Sequence, residues 1–446
     1  MTKSDYDFDV LYLGSGHGTF DGAIPLAAKG VRVAVVEAGL IGGTCPNRGC
    51  NAKITLDAPV ALQRQLAALK PVLTGTTKID WTANMAHKKA VIDGLPAAIG
   101  GLLTNSGVHL IQGRGTLVDA HTVKVGSQTC TAENIVLATG LRSHQLNIPG
   151  ADLLHDSTDF LSLTKLPAQL TIIGGGYIAL EFATIAQAAG SAVTLVLRGK
   201  QALRHFYQPY VEQLLQQLTL KGVKIYRETV VTAVKAVGDQ CQVETDTQSA
   251  WSTDWILDAT GRIPNVENLG LEKVGVTYNA KGIVVNDHLQ TSVPNIYASG
   301  DVIDKIQPRL TPTAIFESTY LMHTFAGETT APIDYPAIPT VVFTSPRLAQ
   351  VGVTAATALA HPDQYRVVTH HVPDDWYRQV GQETTGDNCL IFDQDQHLVG
   401  ATEVSDQAAD VIDTLLPAIT FKYGPAQFER LVHLFPTISA SAWGQL

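Results

Sequence analysis

The sequence predicts an α/β protein with two parallel strand–turn–helix–strand units and a separate α+β domain at its C-terminal end. Three observations predict this. Two distant stretches each run from an apolar strand into a glycine-rich turn, a helix and a second strand. From Tyr335 onward the pattern changes to proline-punctuated strands followed by one helical segment. The chain has 446 residues, 45% hydrophobic and 16% charged. That is a globular composition with material for about two to four domains.

The first unit starts with Asp9-Val-Leu-Tyr-Leu-Gly14, a run of strand formers meeting glycines at 14, 16 and 18. A helix is expected over 23–29 and a strand over 31–37, ending at Glu37. The second unit starts with Leu170-Thr-Ile-Ile-Gly174-Gly-Gly176. Its helix carries Ile178, Leu180, Phe182 and Ile185 at helical spacing, Gly190 closes it, and a strand covers 193–197. Residues 223–258 read as short alternating strands, and Gly261-Arg-Ile-Pro264-Asn265 as a turn at a domain edge. A strand over 295–298 ends at Ser299-Gly300-Asp301. The C-terminal domain is expected to have strands over 341–343 and 351–353, two more near 390 and 400, and a helix over 407–416.

The net charge of −10 argues against nucleic acid as a partner. No run of about 18 apolar residues predicts a membrane span, and the start MTKSDYDFDV lacks the pattern of a secretory leader. The expected location is therefore cytoplasmic. Of the five cysteines only Cys45 and Cys50 are close in sequence. In a reducing compartment a close pair points to redox chemistry rather than to a structural bridge.

Glycines at a strand–helix turn let the backbone approach a pyrophosphate, and the helix N-terminus meets its charge. Gly14 and Gly16 fit this, with Glu37 placed to accept from a ribose hydroxyl. Thr19 takes the third glycine position, which predicts a slightly wider helix–strand spacing. The second turn has Gly174, Gly176 and Ala179, and its second strand ends in Leu197-Arg198, followed by Lys200 and Arg204. Cations there suit a 2′-phosphate, so NADPH is expected over NADH.

Cys45 and Cys50 lie in Gly42-Gly-Thr-Cys45-Pro-Asn-Arg-Gly-Cys50. Their spacing allows a bridge if the chain turns between them, as at a helix start, where the helix end also lowers a thiol pKa. A zinc site would require two further ligands, and the surrounding sequence offers none at suitable spacing, so no metal is expected.

Along nearly its whole length the sequence resembles the class I pyridine nucleotide-disulfide oxidoreductases, the family of glutathione reductase, dihydrolipoamide dehydrogenase and mercuric reductase. The marks are the Gly14 turn, residues 42–50, Ala138-Thr139-Gly140, residues 172–183, Ala259-Thr-Gly261-Arg-Ile-Pro-Asn265, residues 296–302 and Ile338-Pro-Thr-Val-Val-Phe-Thr-Ser-Pro346. The resemblance implies two Rossmann-like nucleotide-binding domains and a C-terminal α+β dimerisation domain in a homodimer. The expected boundaries are 1–150 and 266–334 for FAD, 151–265 for NAD(P)H and 335–446 for the interface. It also implies that NADPH reduces FAD and that FAD reduces the Cys45–Cys50 disulfide. Cys50 is then the flavin-proximal thiol, and Cys45 attacks a small-molecule acceptor. Lys53 pairs with Glu181 beside the flavin, although family members differ by one residue in this lysine's spacing. Asp301, Thr44, Gly115, Thr139, Gly140 and Gly261 are matched to cofactor-contacting positions, Tyr177 to a tyrosine that covers the flavin, and Arg198 with Arg204 to the arginines of NADPH users.

The chain departs from that pattern at its C-terminal end. The family's His-Pro-Thr-x-Ser-Glu reads Phe435-Pro-Thr-Ile-Ser-Ala440, so both acid–base positions are apolar. Such groups are typically worth about 10²–10⁴-fold. His433 lies two positions earlier, either as a substitute or as a packing residue. Ile24 and Thr319 stand where glutathione reductase has substrate-binding arginines. His17, in the first glycine turn, is a candidate to touch substrate or supply a proton. His370-His371 with Asp374 and Asp375 reads as an interface-domain loop rather than a metal site. The leading expectation is reduction of a disulfide substrate. The alternatives are reduction of a metal ion, quinone or oxygen, and a non-catalytic redox sensor.

Overall fold

The computed structural model describes residues 5–70 and 72–446. Residues 1–4, part of the segment read above for a leader, and Pro71 lie outside the described residues. The chain divides into two compact units. One comprises the chain up to Lys53, Ala86–His144 and Arg262–Tyr335; the other comprises Ile54–Met85, Gln145–Gly261 and Pro336–Leu446.

The first unit is built on a sheet whose parallel part pairs β1 (Phe8–Leu13) with both β2 (Val33–Glu37) and the long strand Gln128–Leu137. Strand Ile296–Ala298 joins the far side of Gln128–Leu137 in register Ile296↔Ile135. α1 (Phe20–Ala28) connects β1 to β2 and buries Ala23, Leu26 and Ala27. Val10 to Leu13 and Val33 to Val36 are buried without alternation, as befits strands covered on both faces. At about 1.5–3 kcal/mol per buried large aliphatic, these central strands are a major source of the unit's stability. Two further helices follow, α2 (Thr44–Arg48) and α3 (Cys50–Ala68).

The second unit contains a four-stranded parallel sheet in which Gln169–Ile173 is flanked by Ala192–Val196 and Trp255–Asp258, with Lys224–Tyr226 outermost. Helix Tyr177–Ala188 crosses between the first two strands and is buried from Ala179 through Ala186. Residues 231–253 form an antiparallel three-stranded meander. The C-terminal part is a five-stranded antiparallel sheet against helix Ala408–Thr420. Ala408, Val411, Ile412, Leu415, Ala418 and Ile419 recur at helical spacing on its buried face.

Both strand–turn–helix–strand units and the separate α+β domain thus stand as the sequence predicts. Residues 262–264 do not form a turn. They form a short strand, Arg262–Pro264, paired antiparallel with Leu141–Ser143, because Arg262 also anchors to the Leu141 carbonyl at 2.8 Å. The helices Trp81–Ile92 and Leu95–Asn105 lacked the glycine-turn context that marks the nucleotide units.

Candidate active site

At the first turn Gly14 has φ +104°, and a Cβ there would lie 2.4 Å from the Ala138 carbonyl oxygen, so only glycine fits. Glu37 closes the turn. Its Oε2 accepts from Ser15 N at 2.9 Å and Ser15 Oγ at 2.6 Å, while Oε1 accepts from Gly39 N at 2.7 Å. Thr19 is fully buried, and its hydroxyl donates to the Gly14 carbonyl at 2.9 Å, so the larger side chain is used as a brace. A Cβ on Gly43 would lie 2.9 Å from Gly16 Cα, which places the backbone before Cys45 directly against the glycine turn.

Cys45 lies in α2, half-buried, and Cys50 is the exposed first residue of α3; both carry thiols rather than a disulfide. Cys45 Sγ lies 3.9 Å from Asn51 Oδ1, and Cys50 Sγ lies 3.6 Å from Thr311 Oγ1. The hydrogen bond with Cys50, followed by burial, pushes the Cys45 thiol above its ordinary range. The helix-end argument predicts the opposite sign. For Cys45 it is outweighed because ionising this half-buried thiol removes its bond to Cys50 and sets a charge beside the second thiol. The Thr311 hydroxyl acts in the lowering direction.

Other matched positions in this unit are held by their backbones. Thr139 Oγ1 donates to the Asn265 carbonyl at 2.7 Å, Asn265 Nδ2 returns a bond to the Thr139 carbonyl at 2.8 Å, and Asn265 N donates to the Gly140 carbonyl at 3.0 Å. Gly115 is buried against Leu13, Val36 and Val123. Thr44 opens α2 and is partly buried. Asp301 lies in a 3₁₀ turn whose preceding amide, Gly300 N, donates to Glu317 Oε2 at 2.6 Å. Glu317 is fully buried and also accepts from Lys305 Nζ at 2.6 Å and Tyr335 OH at 2.8 Å. Sequence reading missed this trio; Lys305 sits between Asp304 and the exposed Ile306, so its local sequence carries no signal of burial. Lys53, in the first turn of α3, is 9% exposed.

In the second unit Gly174 has φ +137°, and a Cβ there would meet the Ala259 carbonyl oxygen at 2.2 Å. A Cβ on Gly176 would meet nothing within 4 Å, leaving open space at the helix start. Tyr177 follows, edge-on to Phe206 with centroids 5.8 Å apart. Burial, and then the Glu181 charge, push its phenol up to about 12, so it stays protonated at neutral pH. Glu181 is 8% exposed and accepts from Phe343 N at 2.9 Å. The residues after Phe343 form a second unforeseen feature. Arg347 pairs with the buried Asp57, the Thr344 carbonyl accepts from Arg64, and Ser345 accepts from Lys221 through its carbonyl at 3.1 Å and its hydroxyl at 2.7 Å. Arg198, Lys200 and Arg204 are exposed, and among the described residues none of their cationic groups forms an ion pair. Gly261, with φ +148°, is exposed.

At the C-terminal end Phe435 is 69% exposed and lies against Trp376 at 5.5 Å, while the His433 ring stacks on Trp443 at 5.1 Å. His371 pairs with Asp387 at 2.9 Å, and Asp375 caps the helix Trp376–Val380, so the His370–Asp375 stretch is occupied in local structure.

Residues 8–318 match the family described as pyridine nucleotide-disulphide oxidoreductase. The chain belongs to that family. Residues 338–444 match its dimerisation domain. The chain is 32% identical over 455 residues to glutathione reductase of Nostoc sp., covering 97% of this chain and 98% of that protein. It is 33% identical over 431 residues to mercuric reductase of Staphylococcus aureus, covering 94% and 78%. It is 32% identical over 458 residues to dihydrolipoyl dehydrogenase of Bacillus subtilis, covering 98% and 96%. Among solved structures, the HOCl-induced flavoprotein disulfide reductase RclA from Escherichia coli superposes with a TM-score of 0.89 at 25% identity, covering 98% of this chain and 99% of that one. The Cu(II) complex of a variant of that protein also gives 0.89 at 25% identity, covering 99% of each chain. Membership supports an enzyme of the NAD(P)H:disulfide oxidoreductase type that uses FAD and dimerises through its C-terminal domain. Among the described residues, no helix is long and apolar enough to cross a membrane.

Proposed function

We propose that this protein takes electrons from NADPH through FAD to the Cys45–Cys50 disulfide and passes them to a disulfide-containing substrate. The observation that carries the reading is the placement of the thiols: Cys45 lies in a short helix, Cys50 opens the next and touches Thr311, and the backbone before Cys45 lies against the first glycine turn. Both turns fit a dinucleotide: Gly14 and Gly174 turn the chain tightly against a neighbouring carbonyl, and Gly176 leaves open space at the helix start where a pyrophosphate approaches. FAD, when bound, supplies two-electron transfer between nicotinamide and disulfide.

Gly14 and Gly16 hold the FAD pyrophosphate and Glu37 its ribose, with Thr44, Gly115, Thr139, Gly140, Gly261 and Asp301 completing the cradle. Gly174 and Gly176 receive the nicotinamide nucleotide, with Tyr177 opening the helix beside them. Arg198 and Arg204, unpaired with carboxylates, take the 2′-phosphate. Lys53 is matched to the family lysine near the second cysteine, and Phe343 N fixes the Glu181 carboxylate. By resemblance to the family, Cys50 is the flavin-proximal thiol and Cys45 the attacking one; Cys50 opens a 19-residue helix, whose N-terminal end favours a thiolate. His433 is held by Trp443, which suits packing better than proton transfer.

A second reading is reduction of a metal ion by the same thiols. The Cu(II) complex of a structurally similar protein favours it, as does the apolar character of Phe435 and Ala440, since a metal acceptor has no thiolate leaving group to protonate.

The test offers the FAD-loaded protein and NADPH an oxidised glutathione, other small disulfides, Cu(II), quinones and oxygen. Turnover of a small disulfide that falls at least about 10³-fold in Cys45→Ser, because the covalent route is gone, is the expected result. Cys45-dependent turnover of Cu(II) alone replaces it with the metal reading. Turnover of any acceptor that is indifferent to Cys45→Ser sinks the thiol relay.

A further inference from the structure

His17 lies in the turn before α1 and Asp21 in the first turn of that helix, and the tight turn at Gly16 brings their side chains together. His17 Nδ1 lies 2.7 Å from Asp21 Oδ2. The Phe20 ring packs against the imidazole with centroids 4.5 Å apart. The two polar side chains are 19% and 24% exposed, held in place yet open to solvent. Among the described residues Nε2 meets no hydrogen-bond partner. A carboxylate on Nδ1 fixes the tautomer and makes Nε2 the atom that exchanges protons.

The pair is also near the thiols. Gly16, the neighbour of His17, lies directly against Gly43, two residues before Cys45. On its other side α1 packs closely on helix Thr311–Phe325, where a Cβ on Gly22 would lie 2.1 Å from the Ser318 carbonyl oxygen. The first residue of that helix, Thr311, touches Cys50 Sγ at 3.6 Å. The turn carrying His17 and the segments carrying both thiols therefore converge within one unit.

We infer that Asp21 orients His17 and that His17 Nε2 carries the protons of the dithiol reaction, an inference that rests on the thiol-relay reading above. Nε2 takes the proton of the Cys45 thiol. The Cys45 thiolate bonds to one substrate sulfur, the substrate S–S bond breaks, and the departing thiolate takes that proton. Nε2 then takes the Cys50 proton. The Cys50 thiolate bonds to Cys45 Sγ, expels the second substrate sulfur, and that sulfur receives the proton. Two electrons and two protons leave the dithiol and appear on two substrate thiols.

The test compares an alkyl disulfide with an aryl disulfide, 5,5′-dithiobis(2-nitrobenzoate), as oxidants of the NADPH-reduced holoenzyme. An aryl thiolate leaves without a proton, whereas an alkyl thiolate has a high pKa and gains from an acid. In His17→Gln the alkyl-to-aryl rate ratio falls about a hundredfold, the scale of general acid catalysis, and in Asp21→Asn about tenfold. The ratio is taken within one preparation, so partial loss of fold or of flavin cancels. A wild type that reacts while both variants keep its ratio overturns the His17–Asp21 pair alone. A reduced wild type that reacts with neither disulfide overturns the thiol relay, and the pair with it.

Discussion

Gly14 donates its amide to the Val36 carbonyl at 2.8 Å, and Gly174 donates its own to the Val196 carbonyl at 2.9 Å. The next strand over repeats the correspondence: Ala138 N bonds to the Leu13 carbonyl at 2.9 Å, and Ala259 N to the Ile173 carbonyl at 2.8 Å. In backbone terms the two turns are the same object. They diverge at the end of the second strand, where Glu37 is tied to Ser15 and Gly39 while Arg198 stands exposed. One turn is closed by an acid that its own loop holds still. The other is left open with cations around it. On the proposed reading, backbone geometry sets that a dinucleotide is received, and a few terminal side chains set which one.

The comparison breaks most severely at the glycines. Gly174→Ala adds a Cβ against the Ala259 carbonyl at strained φ, a cost of about 1–3 kcal/mol, or roughly 10–100-fold in NADPH affinity. Titration of flavin reduction by NADPH checks this, and FAD content is expected to stay at the wild-type level. Loss of flavin instead would mean that the two turns are not independent. Replacing Arg198 and Arg204 by serine sharpens the other half. Each charge-assisted contact is worth about 1.5–3 kcal/mol, so the NADPH/NADH ratio of kcat/KM is expected to fall at least about tenfold. An unchanged ratio would make both arginines bystanders. The smallest effect belongs to Thr19→Val, which removes the hydroxyl bridge to the Gly14 carbonyl. A loss of about 1 kcal/mol is expected, read as a drop of about 2–4 °C in the melting temperature.

Both turns were legible because a left-handed glycine hard against a carbonyl leaves a mark that no other residue can replace. The Cys45–Cys50 spacing was legible for a similar reason, since short-range geometry shows in short-range sequence. What escaped was assembled across distance. Lys305, Glu317 and Tyr335 meet Gly300 through tertiary folding alone, and nothing in their local sequence links them. Arg347 and Asp57 pair across 290 positions. Residues 262–264 read as a turn because Gly261 and Pro264 punctuate them, yet they pair with residues 141–143 as a strand. The sign of the Cys45 shift was also out of reach, because it depends on which group the thiol faces and not on which helix it begins.

The strand Ile296–Ala298 completes the first sheet by pairing with residues 135–137. A ribosome delivers these partners far apart in time, and the whole of Gln145–Gly261 emerges between them. That insert carries all four strands of its own parallel sheet and can close before the sheet that precedes it. Until residue 296 appears, one flank of residues 135–137 keeps unpaired amides and carbonyls, the kind of edge that recruits other chains. The sheet behind the first glycine turn is thus finished after the sheet behind the second although its first strand is the first to be made, and nascent chains halted before residue 296 are the ones most exposed to aggregation.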